Sequence, residues 1–483
     1  MTPILILLVF LVYTVMVFTI TWYTSRRADN DAYFRGNRRS PWFVVSYGMI
    51  GASLSGVTFM SVPGYVQSTQ FTYMMMVFGF LAGYLVIATV LLPLYYRLNL
   101  TSIYGYLQQR FGFFTYKTGA SFFILSRTLG ATLRIFLVVS VLYDFIFKAW
   151  HVPFFLVASL FVLLILLYTF KGGIKTIIWT DTLQTTFMLL AVVSSIILIS
   201  GEMGFSIGGL WDAVSSSGYS KVVETDVQSK QFWLKQFLSG MFVSISMTGL
   251  DQEMMQKNLS CKTLRDSQKN MLTFSVVLIF MNALFLLLGA VLVLYAGENG
   301  VVVDNTDSLF PVIAIEHLGV FSGLFFVIGL ISAAYPSADG AMTSLTTSFV
   351  IDILGIQRRT DWTEAIRRKI RYAVHAAFAG IFLLLIIYFR EMNNDAVIDK
   401  LYSISSYTYG PLLGFFSFGL FTHFQIKDRF IPLVAVSAPL LCWILQSHSA
   451  GWFGGYEIGF ELLLINGFLN FAGLYLCRIR NNK

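Results

Sequence analysis

Charge is scarce in this sequence: Asp, Glu, Lys and Arg together make up 12% of its 483 residues, about half the share of an ordinary soluble domain. A water-soluble fold of this size is thereby excluded. Cysteine is scarcer still, with Cys261, Cys442 and Cys477 far apart, so there is neither a disulfide framework nor metal-ligand spacing. The five histidines, His151, His317, His375, His423 and His448, are scattered, and no nucleophile elbow or phosphate loop accompanies them. An enzyme is therefore not expected. No Lys or Arg precedes the first apolar stretch, from Pro3 to Tyr23, and no small-residue cleavage site follows it. It fails as a secretory signal and reads as a retained helix.

What is abundant is apolar surface: 56% of the chain is hydrophobic, with 46 Phe and 24 Tyr. At ~20 residues per crossing of a ~30 Å hydrocarbon core, about thirteen transmembrane helices are expected. They fall near 3–23, 42–69, 72–96, 119–147, 152–170, 176–200, 232–256, 270–297, 319–349, 371–390, 398–422, 430–447 and 458–477. Twenty-five Lys and Arg residues fall in the loops of one side and six in those of the other. That asymmetry predicts an N-terminus outside and a C-terminus inside a plasma membrane. The net charge of +8 is thus topological and does not point to nucleic acid. The loop at 201–231 reads as polar and exterior, and Asp307 to His317 as an amphipathic exterior helix. The whole chain, 1–483, forms one all-α membrane domain.

Ionisable residues inside the spans are informative, because each costs at least ~2.5 kcal/mol at mid-bilayer. Arg127 and Arg134 lie seven residues apart in the fourth span, Asp181 in the sixth, Asp339 in the ninth and Glu461 in the last. The depths at ~1.5 Å per residue allow Arg127 to pair with Asp181 or Asp339. Arg134, near the midplane, has no acidic partner in view and is suited to grip a carboxylate bidentately. Glu461 reads as structural.

Two spans have interrupted helix character. The second carries Ser46, Gly48, Gly51, Ser53, Ser55, Gly56 and Thr58, followed by Pro63 and Gly64; the seventh carries Ser239, Gly240, Ser244, Ser246, Thr248 and Gly249. They stand five spans apart, the distance between the first helices of two five-helix repeats. Paired interruptions of this kind point to a carrier's binding site, where unwound backbone offers carbonyls to a cation and half-helix ends to an anion. Close packing on small residues is the alternative. The ninth span offers hydroxyls and a carboxylate at Ser332, Ser337, Asp339 and Thr343, oxygen ligands fit for sodium. Pro336 removes a backbone bond there and can free the Ser332 carbonyl.

These residues resemble the sodium/solute symporter family. The likeness is carried by Ala32 to Gly36, by Tyr106-Leu-Gln-Gln-Arg110-Phe-Gly112, by Trp179-Thr-Asp181-x-x-Gln184, by Asp251-Gln252 to Gln268-Lys269 and by the Ser-Ala-Asp run ending at Asp339. It implies a leucine-transporter-type, five-plus-five inverted repeat over 42–422, the first helix of each repeat broken, with an extra helix at 1–25 and further helices over 430–483. Carried over by position, a sodium site would use the carbonyls of Gly51, Leu54 and Ala333 and the hydroxyl of Ser337. A further hydroxyl common in the family is replaced by Pro336. Asp181 matches an acidic residue of a second ion site, where Asp339 and Gly340 stand in place of serines; Asp339 would serve sodium or carry a proton. The polar sugar ligands of galactose-transporting members fall on Val77 and Phe80, their stacking tyrosine on Met247 and a lysine on Leu278. Sialic-acid-transporting members are similar at Ser53, Ser55, Thr58 and Arg134, with Ser244, Ser246 and Met247 completing the solute set. The resemblance implies sodium-coupled import of a small anionic, hydroxylated solute such as a sialic acid. A neutral sugar or polyol, a monocarboxylate or an amino acid is the alternative, and a sensor or channel on the same scaffold the rival class.

Overall fold

The computed structural model describes residues 3–25, 33–34, 36–359, 361–392 and 397–479. Arg26, Arg27, Arg35, Arg480 and Lys483, counted above in the loop asymmetry, and Ala32 of the first motif lie outside the described residues. The described chain is helical, with extended pairing limited to isolated bridges such as Ser40 with Cys261. In order, the helices are α1 (Pro3–Ser25), α2 (Trp42–Ser53), α3 (Gly56–Thr69), α4 (Tyr73–Arg97), α5 (Gly105–Arg110), α6 (Phe113–Leu142) and α7 (Phe154–Glu202). Then come α8 (Ile207–Ser216), α9 (Trp233–Ser244), α10 (Gln252–Leu259), α11 (Leu264–Asn299), α12 (Gly319–Ser348), α13 (Glu364–Met392), α14 (Val397–Phe421), α15 (Ile431–Trp452) and α16 (Leu462–Leu476).

Among the described residues, eight helices are long and apolar enough to cross a membrane, or nine if the bent pair α2 and α3 is one crossing. This is a multi-pass membrane protein. Length and composition alone support fewer crossings than thirteen, because Phe154–Phe170 and Leu462–Leu476 are apolar but short and the helix at 233–259 is interrupted. The crossings expected at 152–170 and 176–200 are two arms of α7, joined at Gly173 with φ 54° and ψ −152°. Only glycine holds such a backbone readily, and a Cβ there would also run into Tyr33.

The segment expected to be an amphipathic helix at 307–317 is a series of short helical turns whose Leu309, Phe310, Ile313 and Ala314 side chains are buried. The loop at 201–231 contains α8, capped by Ser206, whose hydroxyl accepts from the Gly209 amide. At that end of the bundle Lys230 pairs with Glu457 and holds its carboxyl below the usual range.

The core is built around α7 and α12, which pack along each other and are joined by α1, α2 and α6. Helix α6 carries Arg127 and Arg134, and its start is pinned: Asp428 accepts from the amides of Phe114 (2.7 Å) and Thr115 (2.8 Å). A carboxylate at a helix N-terminus satisfies its orphan N–H groups. Arg110 donates to the carbonyls of Thr422 and Phe424, tying the preceding turn to the end of α14. The apolar exterior, with Leu8, Val12, Phe280, Leu384 and Leu433 exposed, faces the lipid.

The Gly173→Ala variant is expected to be destabilised by about 1–3 kcal/mol for the strained backbone alone, read as a lower melting temperature in detergent. Retention of the wild-type melting temperature would refute the strain.

Candidate functional site

The first interruption lies at Leu54 (φ −84°, ψ 75°) and Ser55 (φ −75°, ψ 177°), where α2 gives way to α3 with a bend of 57°. The last carbonyls of α2 therefore have no following helical turn to donate to them. Gly51 allows α2 to approach α7, since a Cβ there would collide with the Thr185 hydroxyl. That hydroxyl donates to the Asp181 carbonyl at 2.7 Å.

The second interruption is displaced from where the sequence pattern put it. Helix α9 runs unbroken through Ser239 and Gly240, continues as a π turn over Ile245–Gly249, and breaks only at Leu250 and Asp251. Gly240 serves close packing instead: a Cβ would overlap the Met76 carbonyl of α4. Asp251 (φ −102°, ψ 124°) then caps α10, its Oδ1 accepting from the amides of Glu253 (2.9 Å) and Met254 (3.1 Å). The freed carbonyls of Gly249 and Leu250 accept from the hydroxyls of Tyr95 (2.8 Å) and Tyr104 (2.9 Å).

Between the interruptions lies a cavity of about 100 Å³. Ser53, Ser55, Thr58, Arg134, Ser244 and Met247 all line it, as do Phe80 and Leu278. Ser246 does not; it is fully buried, its hydroxyl unpartnered. The Ser244 hydroxyl already donates to the Met241 carbonyl at 2.9 Å. Arg127, Tyr84, Thr248 and Asn282 also line the cavity, and Tyr73 and Tyr402, with hydroxyls 3.0 Å apart, form part of its wall. The Arg134 guanidinium has no ion pair among the described residues, and its Nε is buried without a partner.

Helix α12 continues through Pro336, packing against α2, α3 and α7. Ala333, Ser337 and Asp339 are fully buried. The Tyr168 hydroxyl donates to Asp339 Oδ2 at 3.0 Å. Asp339 Oδ1, Asp181 Oδ1 and the hydroxyls of Ser332, Ser337 and Thr343 are buried without partners, as is that of Tyr13 on α1. Buried polar atoms are costly to leave unpaired. A set of orphaned oxygens on α7 and α12 suits a hard monovalent cation or, at a carboxylate, a proton.

Arg127 pairs with neither Asp181 nor Asp339. It donates to Glu253 Oε2 and lies 3.8 Å from Asp251 Oδ2, whose carboxylate also accepts from Tyr409 at 2.6 Å. Asp181 Oδ2 is taken by Lys257, 2.7 Å away, which also lies 3.4 Å from Glu253 Oε1. Lys257, counted above as a loop charge, is 1% exposed. The break at Asp251 turns α10 back into the bundle and brings Glu253 and Lys257 to the buried charges. An Asp N-cap with an acid two residues on was the available signal.

A helical membrane bundle with two interrupted helices, a cavity of mixed polar and apolar lining between them and buried carboxylates beside it is the architecture of a secondary carrier. A profile for the Sodium:solute symporter family matches residues 33–424, and the chain belongs to that family. It is a transporter, not an enzyme, and sodium is the coupling ion of its class. The chain is 22% identical over 458 residues to the sodium/sialic acid symporter NanT of Aliivibrio fischeri, covering 93% of this chain and 89% of that one. It is also 22% identical over 415 residues to the sodium/sialic acid symporter SiaT of Proteus mirabilis, covering 84% and 82%. The solved structure of a Na+-coupled sialic acid symporter in a substrate-bound, outward-open state superposes with a TM-score of 0.84 at 19% identity, covering 98% and 97% of the chains. The fold is thus of the leucine-transporter type.

Arg127→Met takes the guanidinium away from two buried carboxylates, Glu253 and Asp251, and is expected to destabilise by about 3–5 kcal/mol, whereas Arg134→Met takes a partner from none. Thermal melts of the two variants should differ accordingly; equal melting temperatures would contradict the pairing.

Proposed function

We propose that this protein imports a small anionic, hydroxyl-bearing organic solute, a sialic acid or another sugar acid, by sodium symport. The observation that carries this reading is Arg134: a guanidinium without an ion-pair partner among the described residues, lining a cavity together with Ser53, Ser55 and Thr58. A carboxylate would take the planar fork of Arg134, and the solute hydroxyls would meet those of the broken helix. Met247, Phe80 and Leu278 add apolar lining where a neutral hexose held by polar ligands all round would need donors and acceptors. Ser244 would contribute through its oxygen. Ser246 does not line the cavity and is left out of this reading.

Sodium would bind to the carbonyls of Gly51, Leu54 and Ala333 and the hydroxyl of Ser337. Asp181 and Asp339 would hold a second cation, sodium first and a proton as the alternative. In this reading the chain crosses the membrane about thirteen times, with a five-plus-five inverted repeat over 42–422. The end rich in Lys and Arg faces the cytoplasm.

A second reading, a monocarboxylate, is favoured by the cavity's small volume of about 100 Å³, below the ~300–1,000 Å³ of sites for larger ligands. The sodium-coupled monocarboxylate transporter 2 of Danio rerio is 23% identical over 435 residues, covering 86% of this chain and 67% of that one. The two readings share the Arg134 carboxylate clamp and differ in the size and hydroxyls of the solute.

Proteoliposomes given an inward sodium gradient should accumulate radiolabelled sialic acid, or pyruvate on the second reading, and should not do so with choline in place of sodium. Arg134→Lys keeps the charge and loses the fork, and should raise the apparent KM at least about tenfold, one lost charged hydrogen bond being worth about 1.5–3 kcal/mol. An unchanged KM would remove Arg134 from the site. Asp339→Asn should alter the sodium or the pH dependence of uptake; if it leaves both untouched, there is no second ion site at Asp339.

A further inference from the structure

Cavity and ion region are joined by an unbroken series of buried charges. Arg127 lines the cavity and donates to one oxygen of Glu253. The other Glu253 oxygen lies 3.4 Å from Lys257, and Lys257 reaches Asp181 at 2.7 Å. All four side chains are at most 5% exposed. Glu253 and Lys257 are four residues apart on α10, so they face each other along one side of the helix without backbone change. Gly340, on α12, leaves the space that the Glu253 carboxylate fills; a Cβ there would overlap it. Glu253 is thus a single carboxylate shared between two bases, one serving each site.

We propose that Glu253 and Lys257 are positioning residues that couple the two sites by exchange of partners. The proposal rests on the cation and anion sites assigned above. A cation arriving at Asp181, whose Oδ1 is unpartnered, competes with Lys257 for the carboxylate. Lys257 then turns fully onto Glu253. Glu253, matched by the lysine, loosens its hold on Arg127, and the Arg127 guanidinium joins Arg134 in the cavity to receive the solute's acid group. Cation and solute therefore tighten each other's binding, and by linkage to the same factor. Removing either member of the α10 pair uncouples the sites without removing either one.

The test measures equilibrium binding to the purified full-length protein, with sodium chloride against choline chloride and with sialic acid and pyruvate as solute probes. In the wild type, sodium should lower the Kd of the bound probe by about tenfold, within the usual 5–150-fold range of site coupling. Sodium alone, followed by its stabilisation of the melting temperature, should bind more weakly to Glu253→Gln and more tightly to Lys257→Met. These opposite shifts follow from charge alone. The distinguishing result is that both variants bind the probe with a Kd that sodium no longer changes. A variant that binds both ligands and keeps the wild-type coupling factor overturns the proposal. Glu253→Asp, one methylene too short to hold both bases, supplies the same reading where Lys257→Met does not fold. Absence of any sodium effect or probe binding in the wild type overturns the site assignments themselves, and the proposal with them.

Discussion

Burial of charge in a lipid-embedded protein is the constraint that shapes this bundle. Arg127, Asp181, Asp251, Glu253, Lys257 and Asp339 are all withdrawn from solvent, and each ion taken from water carries a penalty of several kcal/mol unless it is matched. The matching fixes helix positions. Arg127 binds α6 to α10, Lys257 binds α10 to α7, and Tyr409 binds α14 to the cap of α10. Three long helices and a two-turn helix are thereby held in one register by groups that apolar packing alone would leave free to slide.

The interrupted helices follow from the same constraint. Carbonyls released at a break survive at membrane depth only where protein covers them or a cavity receives them. At the second break protein covers them, through Tyr95 and Tyr104. At the first, the break opens on the cavity, and the hydroxyls of Ser53, Ser55 and Thr58 cluster around it. The two breaks are thus not equivalent: one is built as a fixed corner and the other opens on a cavity.

Legibility in the sequence divides along physical lines. Long apolar helices and the first interruption could be read, because hydropathy and a dense run of Gly and Ser residues act locally. Arg134 could be singled out because a charge without a nearby opposite is visible in one dimension. The pairing of Arg127 could not be read, since its partner Glu253 stands 126 positions away, at what reads as the end of the seventh span. Ser239 and Gly240 misled for a related reason. Small residues permit both a break and a close approach, and only the neighbouring helix decides which; here α4 takes up the space. The number of crossings depended on a bend at Gly173 that turns one long helix into two arms.

The charges at the cavity and around Asp181 and Asp339 form a set of their own. In it four acids, Asp181, Asp251, Glu253 and Asp339, stand with three bases, Arg127, Arg134 and Lys257. Taken as ionised, this set has an excess of one negative charge, and that excess lies at Asp181 and Asp339, where oxygens are unpartnered. The opposite imbalance lies at the cavity, where Arg134 has no carboxylate. A monovalent cation corrects the first and an anion corrects the second. The anion alone would double the negative excess, whereas with the cation present the excess stays at one. In a medium where interactions between buried charges are weakly screened, such a distribution favours entry of the anion together with the cation over entry of the anion singly. Under the proposed site assignment, symport of an anion with sodium is therefore favoured by charge balance even before any movement of the helices is considered.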